Sequence, residues 1–200
     1  METFALSNKT IVWKGICLNT MESCTVIREN KKITVNGVIA GLENSQPVNV
    51  HYQIKLDETY EIESLLLTSY QDELFEVKMV RENRKWFDGN GKHLESFDDC
   101  NDIDIALSPY TNTIPINRLH LNPGESRQIN VVYIDPVKKS VSRNQQRYTY
   151  IESNKYRYEN LDSTFISDIV VDRNGFVITY PGIWEMVNPE TEDSDSNAKR

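Results

Sequence analysis

The chain has 200 residues, of which 38% are hydrophobic and 26% are charged, and its formal net charge is −8 at pH 7. This is the composition of a soluble globular protein, and the negative charge argues against nucleic-acid or anionic-membrane binding, which needs a basic patch. No apolar run approaches the roughly 20 residues of a transmembrane helix, and the first ten residues lack a secretion signal, so the sequence predicts a cytoplasmic protein.

Short runs of alternating apolar and polar residues fill most of the chain from Ile11 to Gly182. In Val48–Leu56 every second residue is apolar, which is the period of a strand with one buried face. The Asn36-Gly37 pair is interpreted as a bulge in one long strand, because the apolar rhythm continues on both sides. The same rhythm predicts further strands at Glu22–Arg28, Lys32–Ala40, Glu61–Tyr70, Glu73–Arg81, Arg84–Phe87, Lys92–Glu95, Arg127–Ile134, Gln145–Ile151, Tyr156–Glu159, Phe165–Val171 and Phe176–Tyr180.

Three of the predicted strands are apolar on both faces, at Leu65–Leu67, Val131–Val132 and Ile169–Val171. A sheet with one buried face does not need this, whereas a sheet that curls around an apolar interior does. About a dozen antiparallel strands in one sheet tend to curl or close, because closure removes exposed edges. The sequence therefore predicts an all-β fold: a single strongly curved antiparallel sheet forming an open or closed barrel of about a dozen strands, with an apolar cavity for a ligand.

This barrel is predicted to occupy residues 1–187 as one domain. No stretch shows sustained helical periodicity, and no internal repeat is visible. The last residues, 188–200, are polar and charged and contain no aromatic residue, so they are predicted to form a disordered acidic tail.

The segment Phe97–Leu119 interrupts the alternating pattern. Acidic residues crowd at its start, and the polar tripeptide Thr111–Thr113 lies between Pro109 and Pro115. Each proline lacks a backbone donor and disfavours helix in the residue before it, so the segment is predicted to be an extended loop. A long polar loop in a strand-rich chain is where binding groups usually lie.

Charged side chains of this segment suggest two kinds of site. An acidic group could hold a divalent cation, but it lacks the glycine and glutamate of a calcium-binding loop, so bracing of the loop is favoured and no metal site is predicted. Asp104 and Arg118 are interpreted as a pair that either grips a polar head group or forms a salt bridge within the loop, and both interpretations stay open. The acidic group consists of Asp98, Asp99, Asn101, Asp102 and Asp104.

Aromatic residues with polar tips suit sugar rings and amphiphile head groups when several line one cavity, although core packing is the favoured role for any single one. No catalytic or phosphate-binding motif accompanies them, so no cofactor is predicted. The three cysteines, none in a CxxC pair, are interpreted as reduced structural thiols. The aromatic set is Trp13, Trp86, Trp184, Tyr148, Tyr150, Tyr156 and Tyr158.

Two motifs, Thr111–Ile116 and Asp172–Pro181, resemble a bacterial family named for glycolipid binding, and the resemblance extends from about Trp13 to Trp184. It implies one domain built from a strongly curved antiparallel sheet, similar in shape to periplasmic lipoprotein carriers that hold acyl chains in an open barrel. The family commonly has two basic residues before the leucine at 119. Asn117 stands in the first of these places, so the resemblance leaves Arg118 as the cation for a head group.

We therefore predict a non-catalytic protein that binds an amphiphilic, glycolipid-like ligand in the cleft of the barrel. Apolar strand residues would hold the acyl chain, and the segment from Asp102 to Arg118 would hold the polar part. Two alternatives stay open: a hydrolase or isomerase that uses Asp102 or Asp104 as a base on a sugar- or lipid-like substrate, and a protein-interaction module with an exposed apolar patch. The predicted ligand-binding residues are Trp13, Trp86, Asp102, Asp104, Thr111, Asn112, Thr113, Arg118, Tyr148 and Tyr156.

Overall fold

The computed structural model describes residues 7–71 and 73–187, which form one 14-stranded sheet, one α-helix and one short 3-10 helix at Glu95–Phe97. The acidic tail predicted at 188–200 lies outside the described residues. The elements are β1 (Ser7–Gly15), β2 (Asn19–Glu29), β3 (Lys32–Glu43), β4 (Gln46–Asp57), β5 (Ile62–Tyr70), β6 (Leu74–Glu82), β7 (Lys85–Asp88), β8 (Asp102–Ile105), α1 (Tyr110–Leu119), β9 (Ser126–Asp135), β10 (Ser140–Glu152), β11 (Lys155–Asn160), β12 (Ile166–Val171), β13 (Val177–Tyr180) and β14 (Trp184–Met186).

The strands lie in the order β7-β6-β5-β4-β3-β2-β1-β14-β13-β12-β11-β10-β9-β8. The pairing of β1 with β14, which sets Trp13 opposite Met186, joins the two halves of the chain. Because β7 and β8 end the sheet without pairing with each other among the described residues, the barrel is open. The prediction of a purely antiparallel sheet is wrong at one place, since β8 and β9 are parallel.

Hairpin turns alternate between the two ends of the strands and so form two rims. The upper rim carries the turns 16–18, 44–45, 136–139, 161–165 and 181–183 and the turn between β5 and β6. The lower rim carries the turns 30–31, 58–61, 83–84, 153–154 and 172–176. Helix α1 begins at the upper rim and ends at the lower one, where the Asn117 side chain donates to the carbonyl of Asn174 over 3.0 Å.

The period-2 pattern gave the correct faces for most strands. In β4, Val50, Tyr52 and Ile54 are buried and the residues between them point away from the core. Of the runs expected to be buried on both faces, Val131–Val132 is buried, whereas Leu66 and Val170 are exposed. The two edge strands approach each other without pairing: the indole N–H of Trp86 in β7 donates to the carbonyl of Cys100, just before β8, over 2.9 Å.

Gly37 lies within a long, regular strand. The prediction that β3 continues through Asn36-Gly37 is confirmed, but the predicted bulge is wrong, because Thr25, Cys24 and their partners Asn36 and Gly37 keep an unbroken register. Tyr52 is the cross-strand partner of Gly37, and its ring fills the space that a β-carbon at position 37 would need. The glycine therefore lets the Tyr52 ring lie flat against the sheet.

Three strands escaped the sequence pattern: the nine-residue β1 and the short β8 and β14. The strand predicted at Lys92–Glu95 does not form. His93 makes a single bridge with Phe87, and the 3-10 helix begins at Glu95. Strands β8 and β14 and the segment Lys92–Glu95 each have four or fewer residues, which is too little for a period to be read.

The prediction of an extended loop at 97–119 is wrong, because this segment contains β8 and α1. Pro109 stands at the helix N-cap, where a missing N–H costs nothing, but Pro115 lies inside the helix, where proline costs about 3 kcal/mol. The residues from Tyr110 to Ile116 are all buried, and this burial outweighs the local preference. The helix therefore occupies the interior in which an apolar cavity was expected.

All three cysteines are free thiols, with Cys24 and Cys100 buried and Cys17 exposed. Neither helix in the described ranges is long enough and apolar enough to cross a membrane.

Candidate functional site

A pocket of about 220 Å³ opens at the upper rim beside the start of α1. Its rim-side walls are Phe165 and Ile183, which belong to two of the upper turns. We call it the tyrosine pocket. Its further lining comprises the aromatic residues Tyr133, Tyr158, Tyr180 and Trp184 and the polar residues Asp104, Ser108, Asn112 and Asn160.

Asp104 supplies the carboxylate of the tyrosine pocket. Strand β8 and helix α1 run in opposite directions along each other, so the first turn of the helix lies over the end of the strand. There Thr111 Oγ1 donates to Asp104 Oδ1 over 3.1 Å, and Gln146 Nε2 donates to Oδ2 over 2.7 Å. Burial raises the pKa of Asp104, and these two hydrogen bonds lower it less. The carboxylate is only half-buried and faces the pocket.

Helix α1 places one polar side chain, the amide of Asn112, in the lining of the pocket. The hydroxyl of Tyr148 donates to Asn112 Oδ1 over 2.9 Å, which fixes the orientation of the amide. Tyr148 itself is buried behind Tyr158, whose ring meets it edge-on with centroids 5.4 Å apart. Tyr148 is therefore set back from the pocket and supports Asn112 rather than lining the cavity itself.

The aromatic wall surrounds this carboxylate with phenols. Tyr158 lies against Tyr180 at 6.2 Å and against Phe165 at 5.9 Å between ring centroids. Burial raises the pKa of Tyr133 to about 12, with the Asp104 charge adding to the effect, and the same two causes raise the pKa of Tyr158 and Tyr180. The phenols are therefore protonated and can donate to a ligand, while their rings offer faces and edges to a sugar.

Glu22 lies directly behind the pocket, and the sequence analysis missed it. Its carboxylate is fully buried and accepts from the hydroxyls of Tyr52 and Ser108, the latter over 2.7 Å. Burial raises the pKa of Glu22 to about 7, whereas the two hydroxyls and the backbone of Tyr110 at the start of α1 lower it. The alternating pattern of β2 could have indicated this residue, because Glu22 is an acid at an inward position of the strand, between buried Thr20 and Cys24.

At the other end of α1, Arg118 pairs with Asp102 and not with Asp104. Its Nε donates to Oδ1 over 3.0 Å and its Nη2 to Oδ2 over 2.6 Å. The interpretation that Arg118 pairs with Asp104 is therefore wrong. Because α1 and β8 run antiparallel, the last turn of the helix lies over the first residue of the strand, Asp102. Asp102 is fully buried, so this bidentate pair holds the helix to the sheet and lies away from the tyrosine pocket.

The remaining predicted site residues serve as packing or support. The indole N–H groups of Trp13 and Trp86 donate to the carbonyls of Val177 and Cys100, and both rings are fully buried. Thr113 is buried in α1, and Tyr156 stacks on Tyr150 with centroids 4.7 Å apart. Of the ten predicted residues, Asp104 and Asn112 line the tyrosine pocket, and Thr111 and Tyr148 orient them.

The acidic group does not converge on one point. Asp98 contacts His93 over 2.8 Å, and Asp99 accepts from Arg143 over 2.6 Å, while Asp102 and Asp104 face the helix. Among the residues that the structure describes, no three metal-ligating side chains come together. The favoured interpretation was that Asp102 and Asp104 brace the segment and the other acids face water; Asp98 and Asp99 instead have the partners given above.

A second, open hollow of about 510 Å³ lies between β6 and the start of β10. Its apolar walls include Phe75, Met79, Phe97 and Val141. Val141 pairs with Ile134, which neighbours Tyr133 and points to the opposite face of β9, so this groove is separate from the tyrosine pocket.

The chain matches the model of a family described as "Putative glycolipid-binding" over residues 10–186, and it belongs to that family. A crystal structure of a DUF1089 family protein from Pseudomonas aeruginosa superimposes with a TM-score of 0.77, at 29% sequence identity, over 84% of this chain and 91% of the other. No curated protein matches the sequence.

Proposed function

We propose that this member of the glycolipid-binding family holds the polar ring of a glycolipid-like amphiphile in the tyrosine pocket. One observation carries the proposal: a half-buried carboxylate, Asp104, lies among protonated phenols and an oriented amide in a small cavity. Carboxylate, phenol and amide groups match the hydroxyls of a sugar, and the aromatic rings match its apolar faces.

The size of the pocket limits what it takes. At about 220 Å³ it is smaller than the roughly 300 Å³ at which sites for drug-sized ligands begin, so it suits one ring and not a whole glycolipid. Helix α1 fills the space inside the sheet where an acyl chain would otherwise lie. The chain of the ligand therefore leaves through the mouth, past Phe165 and Ile183.

Binding of a soluble glycoside tests the pocket. Octyl glucoside below its micellar concentration should change the fluorescence of Trp184, which lines the pocket. Asp104→Asn should weaken binding by about tenfold or more, because a hydrogen bond to a charged group contributes about 1.5–3 kcal/mol. Asp99→Asn is the matched control, since that carboxylate is exposed and pairs with Arg143. Equal affinity of both variants, or no binding by the wild type, would contradict the proposal.

The alternative of a hydrolase or isomerase now depends on Asp104 alone, because Asp102 is fully buried in its pair with Arg118. The same variant separates the two functions. If the protein only binds, glycosides and their esters should be recovered unchanged after long incubation with the wild type. Turnover that disappears in Asp104→Asn would assign the enzyme instead.

A further inference from the structure

Most of the large apolar side chains that the described chain exposes lie along the upper rim. They stand on four different hairpins, and Ile16 and Ile166 are 51% and 58% exposed. These residues are Ile16, Leu42, Tyr70, Leu74, Phe165 and Ile166. Because a monomeric protein scatters exposed apolar residues singly, their concentration along one rim marks a contact surface.

The lower rim shows that the fold does not require exposed apolar residues at its turns. Its turns join the strands of the same sheet with exposed charged and amide residues, such as Asn30-Lys31 and Asn83-Arg84. The upper rim also contains the mouth of the tyrosine pocket, through Phe165 and Ile183. Phe165 lines this opening and Ile16 adjoins it, because the Ile16 N–H donates to the carbonyl of Ile183 over 2.8 Å, and Leu42, Tyr70 and Leu74 extend the apolar rim along the following turns.

We propose that the upper rim docks on the surface of an electrically neutral lipid bilayer and presents the tyrosine pocket to the head group of a glycolipid embedded there. The choice of occupant rests on the function proposed above, since a ligand whose ring alone is enclosed must keep its chain in lipid. Apolar tips on separate turns suit insertion between head groups, which needs no matching groove on a partner.

The charge along this rim supports a neutral surface. Lys138 is held by Asp135 over 3.0 Å, and along the described rim the acids Glu43, Glu73, Asp135 and Asp162 outnumber Lys138 and Lys139. Anionic bilayers attract clusters of basic residues and would repel this excess of acids, whereas neutral lipid does not. Zwitterionic lipid is thus the surface that the rim fits.

Sedimentation with phosphatidylcholine vesicles that contain no glycolipid tests the rim by itself. The wild type should bind, and the double variant Ile16→Ser/Ile166→Ser should bind at least tenfold more weakly. The matched control is Val38→Ser/Leu66→Ser, which removes two apolar residues of 40% and 41% exposure from the outer face of the sheet. The control should bind as the wild type does, and all three proteins should unfold at the same urea concentration.

The proposal would be overturned if the wild type stayed in the supernatant or if the rim and control variants bound vesicles equally. It would also be overturned if analytical ultracentrifugation showed a wild-type dimer that the rim variant does not form, because the rim would then be an interface between copies. Octyl glucoside titration separates this failure from failure of the pocket. The rim variant should keep wild-type affinity for the monomeric glycoside, and Asp104→Asn should keep wild-type binding to plain vesicles.

Discussion

The two ends of helix α1 hold buried carboxylates in different ways. At the lower end, Asp102 receives two hydrogen bonds from Arg118, and the surrounding turns are short and charged. At the upper end, Glu22 and Asp104 are held by hydroxyls and an amide. The Asp102 carboxylate is fully buried against its cation, so a ligand cannot reach its remaining lone pairs, whereas Asp104 lines the pocket and keeps lone pairs that a ligand can reach.

The two ends of the helix also differ in what surrounds them. The lower end fixes the helix in the sheet and exposes only polar turns. Burial raises the pKa of Asp102 as well as those of Glu22 and Asp104, so the upper end differs from the lower one by its cavity of about 220 Å³ and its apolar rim. Such features cost stability, and a protein keeps them where it binds something.

Breaking the lower pair should have the largest effect on stability. Arg118→Met leaves Asp102 fully buried without its cation, and we expect the free energy of unfolding in urea to fall by about 3–5 kcal/mol. Arg143→Met is the control, because its pair with Asp99 is exposed and contributes at most about 1 kcal/mol. The double variant Asp102→Leu/Arg118→Met should recover most of the loss. A loss in Arg118→Met no larger than in the control would show that the lower end is not the anchor.

Titrating the upper end should have the next largest effect. The pKa of Glu22 is 4.5 in the unfolded chain and about 7 in the folded protein. Between these pH values the folded protein keeps a proton that the unfolded chain has lost. Stability should therefore fall by about 3 kcal/mol as the pH rises from 4.5 to 7 and then level off.

Glu22→Gln keeps the acceptor for Tyr52 and Ser108 and removes this titration. The difference in unfolding free energy between the variant and the wild type, measured in urea across this pH range, isolates Glu22 from other groups. A difference that does not change with pH would mean that Glu22 is charged throughout, and the contrast between the two ends would then weaken.

The smallest expected effect on stability concerns a turn of the lower rim. Arg84 has a φ of 64° beside Asn83 at 50°, a left-handed pair that Asn-Gly adopts with least strain. Arg84→Gly should therefore raise the free energy of unfolding by about 0.5–1 kcal/mol, measured in urea. Glucoside affinity should stay unchanged, and a loss of affinity would show that the lower rim contributes to binding.

The sequence by itself determined most of the strands and which of their faces are buried, because a period of two residues is a local property of the chain. It determined the family through two motifs that lie beside the site. It also brought out Asp104 and Asn112, since polar residues crowded in one segment are visible without a structure. It did not predict α1, because two prolines oppose a helix locally and only enclosure by both halves of the sheet outweighs them.

Tertiary structure alone decided which acid meets which partner. Asp102 and Asp104 lie two residues apart and face the same side of β8, and only the reversed course of α1 gives Arg118 to the first and Thr111 to the second. Glu22 joins the site from a strand 86 residues before Ser108. The local pattern indicated that the sheet curls, but which residues the curl brings into contact over such separations is a collective property of the whole sheet.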